Sequence, residues 1–77
     1  MDPIEKIIDR LKKEHGENGI YYLLETWYKK DLKNPSYKEN IYNNIYGFLF
    51  GLQAVGYIEK SERKTAIDYL IEVIKEI

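Results

Sequence analysis

Side chains able to do covalent or metal chemistry are scarce in this sequence. It has no cysteine and one histidine, His15, which directly precedes Gly16. Thiol nucleophiles are excluded, and any nucleophile–base pair built on imidazole has a single candidate. His15 falls where a helix is expected to end, and its simplest role there is interaction with the negative end of the helix dipole. Carboxylates could act as paired general acid and base, but here they alternate with lysines at helical spacing, the pattern of a solvated helix surface. One imidazole and carboxylates do not make a structural zinc site. Gly47 and Gly51 lie within a helical stretch and lack the lysine of a phosphate-cradling loop. No catalytic residue, metal site or cofactor is therefore expected, and the chain reads as a non-enzyme.

Two groups of residues could instead bind something. Lys29, Lys30, Lys33 and Lys38 cluster around a loop, interleaved with Tyr28 and Tyr37, and could meet a phosphate backbone. Against this, twelve Lys and Arg face thirteen Asp and Glu, a formal net charge of −1, so no global field draws the chain onto nucleic acid. The last helical segment also carries Glu62, Asp68 and Glu72, which phosphates would repel. The second group is aromatic: eight Tyr, two Phe and one Trp. A small core uses aromatics for their large buried area, which accounts for Tyr28 and Tyr42. Tyr22 fits that role poorly because it projects from a polar helix face. Tyr46 and Phe50 fit it only if their helix is sandwiched. Aromatic side chains are enriched at protein interfaces, so Tyr22, Tyr46, Phe50 and Ala54 are the candidate protein-binding residues. The partner is another protein or a second copy of the chain.

These residues sit on four helical segments. The first opens with Asp2 as N-cap and Pro3 at the first helical position. It presents Ile4, Ile7, Ile8 and Leu11 as one apolar stripe and ends at Gly16, read as a left-handed cap. The second runs from about Ile20 to Leu32, with Ile20, Leu23, Leu24, Trp27 and Tyr28 on one face, until Asn34-Pro35 stops it. The third starts at the capping box Ser36-Tyr37-Lys38-Glu39 and runs to about Val55, ahead of Gly56. Its inward seam is Ile41, Ile45, Phe48, Leu52 and Val55. Its back is apolar too, with Tyr46, Gly47, Phe50, Gly51 and Ala54 where a surface helix would carry charge. The fourth follows an N-cap at Ser61 and turns Ala66, Ile67, Leu70, Val73, Ile74 and Ile77 inward.

The expected fold is all-α: one domain over residues 1–77, an array of about four helices with a long, largely buried third helix. Two glycines four apart inside a helix imply a packing reason, since Gly costs about 1 kcal/mol relative to Ala there. The favoured arrangement lays another helix over Gly47 and Gly51. The rival leaves that face open, to be closed by a twin or a foreign protein. The apolar run Ile45–Ile58 is shorter than the roughly 20 residues needed to cross a bilayer, so no membrane association is expected. No export signal is legible at Met1–Lys6, and the expected location is cytoplasmic. Ile, Lys, Glu, Tyr and Asn, all with A/T-rich codons, make up more than half of the chain. That composition suits a low-GC bacterium or one of its mobile elements. The resulting expectation is a small protein-binding regulator or inhibitor, phage-encoded or carried on another mobile element. A nucleic-acid-binding accessory protein using Lys29–Lys38 is the alternative.

Overall fold

Acidic capping chemistry sets the first helix and ties it to the second. In a computed structural model describing all 77 residues, α1 spans Pro3–His15 with Asp2 as its N-cap. Asp2 Oδ1 accepts from the backbone N–H of Ile4 at 2.8 Å and of Glu5 at 3.2 Å, and its Oδ2 accepts from the Tyr28 hydroxyl at 2.5 Å. The predicted stripe Ile4, Ile7, Ile8 and Leu11 is buried. Gly16 is not the left-handed cap: its φ is −58°, and it begins a 3-10 turn, Gly16–Asn18. The left-handed residue is Gly19, with φ +73°. The extra turn needs the positive φ only where the chain reverses into the second helix.

Helix α2 is Ile20–Lys29, and a separate 3-10 turn at Asp31–Lys33 buries Leu32. The third helix, α3, is Lys38–Ala54, the longest of the four. It starts two residues later than the capping-box reading, because the Asn34 side chain takes the Ser36 N–H at 3.0 Å and holds Ser36 in a turn. Its C-terminus closes as a Schellman motif. Tyr57 N–H donates to Leu52 O at 2.9 Å and Gly56 N–H to Gln53 O at 3.0 Å, around Gly56 at φ +79°. Helix α4 is Lys60–Lys75; its N-cap is Glu59 rather than Ser61, and the Glu62 carboxylate accepts from Glu59 N–H at 3.3 Å. No strand is present, so the architecture is all-α as expected.

Each helix packs on its chain neighbours, and α1 packs on α4 to close the ring. One core of twelve apolar residues fills the centre, with no polar residue among them. From α3 the buried residues are Ile45 and Leu49, with Ile41, Phe48 and Leu52 half-buried. The inward seam is therefore rotated from the predicted one, and Val55 lies beyond the helix end, 79% exposed. Helix α2 departs further. Leu24 alone is buried, while Ile20 and Leu23 remain exposed. Two packed neighbours, α1 and α3, do not span the whole arc of its apolar stripe. Trp27 bridges to α3, its ring edge-on to Phe48 at 6.0 Å.

The Tyr28–Asp2 contact has a measurable signature. Burial and then the hydrogen bond to Asp2 push the Tyr28 phenol well above its ordinary range. A folded pKa raised above the unfolded value contributes stability that is complete below the unfolded pKa near 10 and is lost as pH rises above it. An alkaline ultraviolet titration is expected to show a tyrosine that ionises only as the helix signal is lost. Tyr28→Phe should flatten the fall of stability above about pH 10; an unchanged slope contradicts this assignment.

Candidate functional site

Helix α3 sits between α2 on one flank and α4 on the other, and no element covers its outer side. Gly47 and Gly51 are exposed, and a Cβ added at either meets no atom within 4 Å. The favoured sequence expectation, another helix lying over these glycines, is not met. Four helices in a closed ring leave none free to lie there. Asn40, Asn43, Asn44, Tyr46, Ala54 and Val55 are exposed on or at the end of the same helix. Residues 40–58 contain no Asp, Glu, Lys or Arg, in a chain where 32% of residues are charged. The result is an exposed helix face several turns long without a formal charge.

One margin of this face is aromatic. Tyr42, Tyr46 and Phe50 follow at one-turn spacing, with ring centroids 5.9 Å and 4.8 Å apart. Tyr46 remains 41% exposed. Phe50 is half-buried because α4 supplies a cover: the Arg63 guanidinium lies 4.1 Å from the ring centroid, and its Nε donates to Gln53 Oε1 at 2.8 Å. Beyond Tyr42 the margin opens into a groove of about 400 Å³ between α3 and α4, lined by Ile71 and Ile74 and rimmed by Glu39 and Lys75.

The other sequence candidates do not join this surface as a group. Tyr22 is 56% exposed on the outer side of α2, in a shallow depression with Leu23, Thr26 and Trp27. It belongs to a separate apolar surface with Ile20 and Leu23, while Tyr46, Phe50 and Ala54 belong to α3. The four lysines are likewise divided. Lys29 pairs with Glu5 at 3.2 Å and Glu25 at 3.8 Å, and Lys38 donates to the Ile77 carbonyl at 3.0 Å. Lys30 and Lys33 project into solvent without an acidic partner.

The remaining chemistry-bearing groups are engaged in holding helices together. His15 ends α1 as expected, its ring edge-on to Tyr57 at 5.7 Å. Tyr57 donates to Glu14 at 2.8 Å, and burial ahead of that bond raises its phenol pKa. Arg10 lies 5.2 Å from the Tyr57 ring centroid and pairs with Glu62 at 2.9 Å, linking α1 to α4. No three His, Cys, Asp or Glu side chains converge as a metal-ligand set. No helix is long and apolar enough to cross a membrane. Sequence reasoning missed the α3–α4 groove and the Arg63 cover on Phe50, since both depend on the rotation of α4. The absence of charge from residues 40 to 58 is the signal that outlines the whole face. Compared with known protein families, curated proteins and solved structures, the chain matches none.

Proposed function

We propose that this is a small non-catalytic protein that works by contact with another protein, as a regulator or inhibitor, through the outer face of α3. The observation that carries the reading is the exposed, uncharged face containing Tyr46, Gly47, Gly51 and Ala54 on a chain otherwise rich in charge. Tyr46 is 41% exposed there, and exposed apolar patches rimmed by polar residues mark interaction sites. The partner surface it fits is itself neutral and narrow enough to follow one helix. A cation brought against this face would lose water and find no counter-charge. The mechanism is steric: the protein occupies a surface and performs no reaction. The A/T-rich composition is in keeping with a phage or other mobile element as the source. The nucleic-acid alternative loses support because Lys29 and Lys38 are already paired within the protein.

Immobilised protein tests this directly in a low-GC bacterial lysate. A specific partner is expected to be retained by the wild type and by Lys30→Ala, and lost with Ala54→Glu. Retention unaffected by Ala54→Glu contradicts the assigned face. Binding of DNA or RNA that weakens steeply with salt and with Lys30→Ala overturns the reading in favour of the alternative.

A further inference from the structure

We infer that Asn18 is a site of spontaneous covalent modification, its side chain closing a ring onto the nitrogen of Gly19 with loss of ammonia. This goes beyond the protein-contact reading and does not depend on the α3 face. The turn between α1 and α2 makes two demands. Gly19 has φ +73°, a conformation that other residues adopt only with strain. Residue 18 must supply an acceptor for the first N–H of α2, and Asn18 Oδ1 receives Ile20 N–H at 3.0 Å. Together they set a side-chain amide directly before a glycine. Both residues are exposed, and a Cβ built at Gly19 meets no atom within 4 Å. No side chain there crowds the ring closure or bars water.

The other asparagines lack this combination. Asn34 precedes Pro35, whose nitrogen carries no hydrogen. Asn40, Asn43 and Asn44 lie within α3 and precede Ile41, Asn44 and Ile45. Their attacking nitrogens are tied into the helix and shielded by the following side chain. Gly19 N–H is held by a single bond, to Gly16 O at 3.2 Å, at the end of one 3-10 turn. Such a turn opens locally at little cost, and opening frees the nitrogen.

The reaction needs water and no redox partner. The Gly19 nitrogen bonds to Asn18 Cγ, the Cγ–Nδ2 bond breaks, and ammonia leaves with the Gly19 proton. Water then opens the five-membered succinimide at either carbonyl. Opening at Cγ gives aspartate, which keeps an acceptor for Ile20 N–H and sets a negative charge at the positive end of α2. Opening at the main-chain carbonyl gives isoaspartate. The backbone then runs through the side-chain carbons, gains a methylene and displaces that acceptor. This product unsettles the first turn of α2, which carries the exposed Ile20, Tyr22 and Leu23.

Incubation of the full chain in mildly alkaline buffer, followed by tryptic mapping, tests the assignment. Trypsin releases residues 14–29, in which Asn18 is the one asparagine, and residues 39–60, which hold Asn40, Asn43 and Asn44. The first peptide is expected to convert to its acid forms an order of magnitude faster than the second. Labelling by an isoaspartyl methyltransferase identifies the isoaspartate among them. Asn18→Ser keeps an acceptor for Ile20 N–H but has no amide to lose, and the acidic form of the aged protein should vanish. A 14–29 peptide that stays unaltered, or conversion that begins in residues 39–60, overturns the assignment. So does an acidic form that persists in Asn18→Ser.

Discussion

Ile45→Ala is expected to destabilise the protein by about 2–5 kcal/mol, as large-to-small changes at fully buried sites do. Ile45 is completely buried at the middle of α3, in the core shared with Leu49, Ile8 and Leu70. A domain of this size holds only roughly 3–5 kcal/mol of net stability, so much of the variant population should be unfolded at room temperature. Leu52→Ala provides the internal comparison. Leu52 is half-buried, so its truncation removes fewer contacts and should cost less than Ile45→Ala. Urea unfolding followed by circular dichroism measures both. Equal losses would mean that α3 faces the core along the seam that the sequence periodicity alone suggested, Ile41, Ile45, Phe48, Leu52 and Val55.

The second large effect is expected at Asp2, a residue near the chain start where substitutions are ordinarily harmless. Its carboxylate caps two backbone N–H groups of α1 with one oxygen and receives the Tyr28 hydroxyl of α2 with the other. Loss of an N-cap costs about 1 kcal/mol. A part-buried hydroxyl left without its charged acceptor adds about 1–2 kcal/mol. Asp2→Ala should therefore lower stability by about 2–3 kcal/mol. Asp2→Asn, which keeps an acceptor for the cap, should lose about half of that. A double-mutant cycle with Tyr28→Phe isolates the cross-helix part, expected near 1 kcal/mol. Strictly additive losses would mean that the cap alone matters.

How far the fold was legible depended on which residues stood opposite the apolar ones. In α1 the stripe Ile4, Ile7, Ile8 and Leu11 is backed by charge, so its inward face follows from periodicity. In α4, Ala66, Ile67 and Leu70 are buried as expected, with Val73, Ile74 and Ile77 half-buried. In α3 no charge marks the outer side, and the periodicity admits several seams. Packing between α2 and α4 selects Ile45 and Leu49. Helix starts were misplaced where two capping candidates lay close together: Asn34 outcompeted Ser36 as a turn acceptor, and Glu59 displaced Ser61 as N-cap. In the candidate site, exposure of Tyr22, Tyr46 and Ala54 agrees with the sequence reading. The separation of Tyr22 from the others and the cover of Arg63 on Phe50 are tertiary facts with no local signature.

Two glycines inside an exposed helix cost stability that nothing within the monomer recovers. The central claim is that the α3 face carrying them is open. Neither glycine has a positive φ, so each accepts alanine without backbone strain. The most direct measurement is the thermal and urea stability of dilute Gly47→Ala/Gly51→Ala protein against the wild type. With the face open, the substitutions should raise helix propensity freely and stabilise the monomer by about 1–2 kcal/mol together. A fall in stability would mean that another helix packs on the glycines, and that the face proposed for protein contact lies inside the fold.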